Sequence, residues 1–128
     1  MLTLTRSQIA MLLPHDLTAR LRWRSPDKEL DRDLYFKVQK ILSDFGIAKE
    51  GTEFLPYWDH PALLPNIPPE VMVSAWKRGD DLLFVIGNQT GKDITIPLDR
   101  KLLDKESGEF IDKRFILKGN DFRILGTK

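Results

Sequence analysis

Apolar residues recur at helical spacing in the first part of this chain. The clearest case lies between Asp31 and Phe45, where five of them follow the intervals i, i+4, i+7, i+8 and i+11 and so share one face of a helix. They are Leu34, Val38, Ile41, Leu42 and Phe45. Gly46 follows directly and is suited to end the helix in the left-handed conformation. The pattern predicts an amphipathic helix over residues 31–45.

A shorter helix is predicted nearer the N-terminus. Thr5-Arg6-Ser7-Gln8 has the form of a capping box, the next apolar residues make a short face, and Pro14 stops the helix. The segment from His15 to Asp27 has no clear period, and we expect an irregular, partly extended loop there.

After residue 70 the apolar residues alternate or form short blocks, as they do in strands. In Val71–Arg78, alternation places Val71, Val73 and Ala75 on one face and Met72, Ser74 and Trp76 on the other. Leu82–Ile86 is apolar at every position, which predicts a central strand buried on both faces. Further strands are expected around Ile94–Leu98, where Pro97 favours an edge, and at Arg114–Leu117 and Phe122–Leu125. Five to seven short strands indicate an antiparallel sandwich or small barrel.

The two patterns together predict an α+β chain, with short N-terminal helices packed on a C-terminal antiparallel β-sandwich. The division falls at an aromatic and proline-rich hinge, Glu53–Pro61, so we assign residues 1–52 to a helical segment and 53–128 to the sandwich with its proline-rich connector. Phe54, Tyr57 and Trp58 are expected to wedge the helix against the sheet, because large aromatic residues contribute much burial.

Composition narrows the possible functions only slightly. The 128 residues carry 20 basic and 19 acidic side chains, a net charge of +1 that gives no reason to expect nucleic acid or a membrane surface as a partner. No run of about 18 apolar residues predicts a membrane-spanning helix, and the first residues lack the pattern of a signal peptide. The chain has no cysteine, which excludes disulfides and thiolate metal sites.

No group of residues predicts a reaction. The two histidines occur as His15-Asp16 and Asp59-His60, far apart and without the spacing of metal ligands on one helix face. No Gly-x-Ser-x-Gly elbow or phosphate-binding glycine loop is present. The remaining carboxylates that merit attention are Glu53, Asp80 and Asp81, which we expect in turns and on the surface. The chain is therefore predicted to have no catalytic residue, metal site or cofactor of its own.

Aromatic residues offer a binding function instead. Tyr57, Trp58 and Trp76 are candidates for a platform on which a sugar ring stacks, since an aromatic face complements the C–H face of a pyranose. The competing interpretation is that these rings only pack inside the protein, and their exposure separates the two.

Several stretches, spread over nearly the whole chain, carry a resemblance to a known class of proteins. Phe54-Leu55-Pro56-Tyr57-Trp58, followed by the strands that start at Val71 and Leu82 and by Gly119, Phe122, Arg123 and Leu125 near the end, resembles the C-terminal region of large bacterial glycoside-hydrolase-like proteins. In those proteins a (β/α)8 barrel carries the catalytic acids, and its last helix leads through such a hinge into a β-sandwich. Leu12–Asp16 is similar to the end of the last barrel strand and residues 31–45 to the last helix. The barrel itself has no counterpart here.

The resemblance implies an accessory, non-catalytic region that supports a catalytic barrel. Two alternatives remain open: a carbohydrate-binding module that uses the exposed aromatics, and a protein-interaction module that docks, or forms a homo-oligomer, through its N-terminal helices. The implied partners are a catalytic barrel or carbohydrate. The resemblance favours a periplasmic or secreted parent protein, although the sequence itself leaves the location undetermined.

Overall fold

A computed structural model describes residues 32–58 and 64–127, with the side chains of the first helix from Phe36 onward. In these segments one helix, α1 (Arg32–Phe45), precedes eight strands. The strands are β1 (Thr52–Leu55), β2 (Val71–Arg78), β3 (Asp81–Asn88), β4 (Ile94–Pro97), β5 (Leu102–Asp104), β6 (Phe110–Ile111), β7 (Arg114–Leu117) and β8 (Asp121–Gly126).

The strands form two antiparallel sheets of unequal size. The larger has six strands in the order β1-β2-β3-β8-β5-β6, and β4 pairs with β7 in a two-stranded sheet. Every pairing is antiparallel, and β2 and β3 form the longest hairpin, running from Val71 opposite Asn88 to Arg78 opposite Asp81. The fold is therefore mostly antiparallel β-sheet with one helix in the described part.

The central strand β3 is covered on both faces, as its sequence predicts. Leu83 and Val85 belong to a core shared with α1, whereas Phe84 and Ile86 belong to a second core on the other face of the sheet. All four side chains are fully buried. The second core also contains Ile96 and Leu117 of the small sheet, Leu98 just after β4, and Leu102 of strand β5 in the large sheet. Helix, large sheet and small sheet thus make three layers.

Helix α1 ends as the sequence predicts. Gly46 has a φ of 92°, and its N–H donates to the carbonyls of Leu42 and Ser43 at 3.1 and 3.0 Å. The Ile47 N–H donates back to the Leu42 carbonyl at 3.3 Å, and the Ile47 side chain packs against the helix-side core. A left-handed glycine followed by such a contact is a common way to satisfy the last carbonyls of a helix.

The sequence prediction differs from the structure in several elements. Residues 52–55 form strand β1 at the edge of the large sheet, paired with β2, where we expected only a hinge. The short strands β5 and β6 were also missed. The described part contains a single 14-residue helix, so several short helices are not what it shows. The predicted helix at residues 5–14 and the loop at 15–27 lie outside the described residues.

Asn88 joins β3 to the small sheet. Its side chain is fully buried, and Nδ2 donates toward the carbonyl oxygens of Lys92, Leu117 and Lys118 at 2.7, 3.2 and 3.1 Å. Its Oδ1 accepts hydrogen bonds from the backbone N–H and the hydroxyl of Thr90 at 3.0 and 2.7 Å. Asn88-Gln89-Thr90 has the pattern of a glycosylation sequon, but the Asn88 amide is buried and both its nitrogen and its oxygen form hydrogen bonds within the protein.

Two turns touch closely at Gly119. A Cβ at this position would lie 2.4 to 2.7 Å from the backbone atoms of Gly91 and Lys92, and the Gly119 N–H donates to the Asp93 carboxylate at 3.1 Å. Only glycine permits this approach of two backbones.

We expect Gly119→Ala to lower the free energy of unfolding by about 1–3 kcal/mol, because two backbone segments must separate to admit the methyl group. Urea denaturation measures the loss. Lys118→Ala, at the exposed neighbouring position, is the control and is expected to change stability by less than about 0.5 kcal/mol. Equal stability of the two variants would contradict the close approach of the turns.

Candidate carbohydrate-binding surface

The hinge leaves the large sheet at the end of β1. Leu55 pairs with Ala75 of β2, and two residues later the Tyr57 N–H donates to the hydroxyl of buried Ser74 at 2.9 Å. This hydrogen bond ties the hinge backbone to β2 beyond the last pair of the ladder. The position of the following residue, Trp58, is therefore set by the sheet.

Four aromatic rings form a chain from the helix-side core to the surface. Phe54 lies 5.1 Å from Trp76 and 6.4 Å from Trp58, measured between ring centroids. Tyr57 lies 5.2 Å from Trp58, with the two ring planes at 85°. Edge-to-face contacts of this kind stabilise aromatic pairs. They brace the Trp58 ring from two sides.

The exposure of these rings corrects two expectations. Trp76 is only 2% exposed, because it lies on the face of β2 that packs against α1, so its ring cannot serve a ligand. Trp58 is 54% exposed, so it does not wedge helix against sheet as we expected. Phe54 is half-buried and does pack against the helix-side core. Of the three candidate sugar-binding residues, Tyr57 and Trp58 reach the surface together.

A groove lies beside Tyr57 that the sequence did not reveal. It has a volume of about 340 Å³ and is lined by Tyr57, the Ile67-Pro68-Pro69 turn and the start of β2 at Val71 and Val73. The Val71 N–H donates to the Pro68 carbonyl at 3.0 Å, which fixes the turn against the strand. Among the described residues that line the groove, none has a charged side chain, and the Tyr57 phenol is the one polar side-chain group.

A second, larger cleft lies at the opposite end of the sheet, where α1, the β2–β3 turn and the end of β8 meet. Its volume is about 640 Å³, and its charged lining residues are Asp44, Glu50, Asp81, Arg78 and Lys105. Arg78 Nη1 donates to the Glu50 carbonyl and to the Thr52 hydroxyl, both at 3.0 Å. The Arg78 guanidinium therefore fastens the turn after α1 to the sheet.

The carboxylates considered for catalysis do not form a described acid pair in a pocket. Glu53 lies on the edge strand β1 opposite Lys77, and its side chain is exposed, whereas Asp80 lies in the β2–β3 turn and Asp81 begins β3. Asp59 and both histidine sites lie outside the described residues. Among residues 32–58 and 64–127, no group of three potential metal ligands comes together.

No helix in the described part of the chain is long and apolar enough to cross a membrane.

Comparison with known proteins finds no match to a protein family and none among curated proteins. Solved structures that align with part of this chain include a β-galactosidase from Bacillus circulans sp. alkalophilus, with 20% identity and a TM-score of 0.46. An Anoxybacillus α-amylase has 14% identity and a TM-score of 0.49, and a hypothetical maltooligosyl trehalose synthase from Sulfolobus tokodaii has 16% and 0.48.

The matched regions are small parts of those proteins. The three matches cover 50%, 78% and 83% of this chain, but only 10%, 23% and 15% of the respective partner chains. The similarity extends to a portion of several glycoside hydrolases, and identities and TM-scores this low assign neither a family nor an activity to this chain.

Proposed function

We propose that this chain is an accessory, non-catalytic region of a carbohydrate-active protein and that it supports a catalytic (β/α)8 barrel. The observation that carries the proposal is the core shared by α1 and the large sheet. Val38, Ile41 and Leu42 of the helix pack with the sheet residues Trp76, Leu83, Val85, Phe122 and Ile124. The segment that resembles the last barrel helix is thereby fixed to the β region.

A fixed helix gives the β region a mechanical role. Because α1 cannot pivot on the sheet without opening a buried core, a barrel that ends in this helix would be held at one angle to the β layers. Burial of α1 by the sheet would also cover an apolar helix face of that barrel. The β region would then contribute to the barrel's stability without supplying a reacting group.

The outward face of α1 is where a barrel would lie. Phe36, 62% exposed, and the exposed Lys37, Lys40, Ser43 and Asp44 belong to this face, and Lys40 and Asp44 form an ion pair at 3.1 Å. A large apolar side chain among charged neighbours is typical of the polar contacts between domains of one protein. An independent docking site would instead show a continuous apolar patch. This composition favours a barrel over an independent protein-interaction module.

The direct test starts from the coding sequence upstream of this chain, which we expect to encode a barrel. The barrel should melt at a higher temperature when it is produced together with the chain. Phe36→Asp should remove much of that increase while leaving the melting temperature of the isolated chain nearly unchanged. Phe110→Asp, at a comparably exposed phenylalanine on β6, is the matched control and should keep the full increase.

The proposal would be refuted if the adjacent coding sequence encoded no barrel, or if the barrel melted at the same temperature with and without the chain.

We also expect the purified chain alone to release no aryl group from aryl glycosides. Glycoside hydrolysis needs two carboxyl groups held about 5–10 Å apart around the scissile bond. Glu53 lies on an edge strand and Asp80 in a turn, while the acids that line the larger cleft, Asp44, Glu50 and Asp81, share it with Arg78 and Lys105. Chromogenic galactosides and glucosides provide the assay. Turnover that Glu53→Gln or Asp81→Asn abolishes would show that the chain is an enzyme.

A further inference from the structure

We propose that the hinge surface formed by Tyr57, Trp58 and the adjoining groove binds a neutral polysaccharide by stacking one pyranose ring on Trp58. This inference deepens the proposed function by giving the accessory region a ligand. It does not depend on a barrel, because every residue of the surface belongs to this chain.

The Trp58 ring suits stacking because it is both exposed and held in place. Tyr57 contacts it edge-on and Phe54 contacts it from the direction of the core, and Tyr57 is tied to Ser74 through its backbone. A braced aromatic ring loses little conformational freedom when a ligand binds. An exposed tryptophan of this kind thus offers contact area at low entropic cost.

The mutual angle of the rings favours a sugar over a proline-rich peptide. The ring planes of Tyr57 and Trp58 stand at 85° to each other, so the two rings do not form parallel walls. A pyranose needs a single face for its C–H groups, whereas a polyproline helix docks between aromatic side chains that line a groove. The groove beside Tyr57 then extends the surface for a neighbouring sugar unit.

The charge of the surface indicates a neutral ligand. The described residues that line the groove are Tyr57, two prolines and three aliphatic residues, and none of them has a basic side chain that would attract a phosphate or carboxylate. Nucleic acids and acidic glycans depend on such basic groups. Uncharged polysaccharides fit this lining better.

Affinity electrophoresis of the full chain in gels that contain soluble starch, pectic galactan or mixed-linkage β-glucan tests the inference. We expect retardation by at least one polymer, and titration of its oligosaccharides should shift the tryptophan fluorescence saturably. Trp58→Ala should weaken binding about tenfold or more, as loss of a central aromatic contact does. Its melting temperature should stay within a few degrees of that of the unchanged chain.

Matched variants make the result specific. Trp58→Phe keeps an aromatic face and should retain part of the affinity, whereas Trp58→Gln keeps an N–H donor without an aromatic face and should lose it. Phe110→Ala removes an equally exposed ring elsewhere and should bind as the unchanged chain does. If Trp58→Ala lowers the melting temperature strongly, the difference in affinity between Trp58→Phe and Trp58→Gln shows whether the aromatic face binds the sugar.

Three results would overturn the inference. They are no retardation by any of the three polymers, binding that survives Trp58→Ala and Trp58→Gln, and capture of an oligoproline peptide by this surface in place of sugar. If both Trp58 variants still bind the polymer, the binding site lies elsewhere on the chain, and the cleft around Arg78 is the next region to substitute. None of these results bears on whether the chain stabilises a barrel, which is measured separately.

Discussion

Replacing Phe84 by alanine is expected to lower the free energy of unfolding by about 3–5 kcal/mol. The Phe84 side chain is fully buried in the core between the large and the small sheet. Its strand partners are Ala75 on β2 and Leu125 on β8, both also fully buried. The loss combines the free energy that burial of the removed ring no longer contributes on folding with the cost of a cavity that the surrounding strands cannot close.

Chemical denaturation of both forms measures this loss, read from the transition midpoint at constant slope. Phe110→Ala is the matched control, because Phe110 is 60% exposed and its described ring contact is with the Lys101 ammonium, 4.6 Å from the ring centroid. A contact of that kind at the surface contributes only about 0.5–1 kcal/mol. A loss below about 1 kcal/mol for Phe84→Ala would contradict the three-layer arrangement.

Asn88→Asp is expected to cost about 3 kcal/mol or more, although it preserves the size and shape of the side chain. The wild-type amide donates toward three carbonyl oxygens in a buried position. An aspartate cannot donate when ionised, and its charge would face those same oxygens. Loss of several buried hydrogen bonds and burial of an unpaired charge both destabilise the folded state.

The pH dependence of the Asn88→Asp variant supplies an additional measurement. Three carbonyl oxygens disfavour the ionised carboxyl, so the folded-state pKa of the new aspartate should rise above its value in the unfolded chain. The unfolded state then loses the proton first, and the variant should regain part of its stability as the pH falls toward the ordinary aspartate range.

Asn66→Asp is the control for this substitution. Asn66 is exposed and has a φ of 61°, a conformation that aspartate also tolerates. The same change of chemistry there is expected to alter stability by less than about 0.5 kcal/mol. An Asn88→Asp variant as stable as Asn66→Asp would show that the amide does not join β3 to the small sheet.

The long periodic segments were predictable from the sequence because burial acts on every second or every third to fourth residue along them. Five apolar positions and a terminal glycine sufficed for α1, which spans Arg32–Phe45. Strand β3 was predicted to be buried on both faces because it contains no polar residue between Leu82 and Ile86, and its two faces do line two cores. In both cases local spacing and tertiary packing favour the same structure.

The short edge strands were not predictable because they contain too few residues to show a pattern of burial. β1 has four residues and β6 two, too few for a period to emerge, and their strand character comes from the backbone hydrogen bonds of a neighbour. Hinge residues such as Glu53 and Phe54 therefore suggested a connector, although they pair with Lys77 and Trp76.

The candidate surface was predicted in part. Aromatic residues at the hinge drew attention to Tyr57 and Trp58, but sequence spacing cannot assign the exposure of a residue that lies beyond the end of a strand. Trp76 follows the alternation of β2, yet only the packing of α1 shows that its face is the covered one. The groove was missed because prolines and aliphatic residues from separate segments line it.

The position of β8 has a consequence for how the protein is made. This strand pairs with β3 along Leu83–Asn88, although β4, β5, β6 and β7 all intervene in the chain. During synthesis the β2–β3 hairpin therefore emerges long before its second neighbour, and its most apolar strand waits with one edge unpaired. Open apolar edges invite association with other chains. β8 pairs with that edge of β3 and becomes an inner strand of the sheet. A polypeptide that is interrupted before Asp121 would therefore leave the ribosome with one edge of its most apolar strand unpaired.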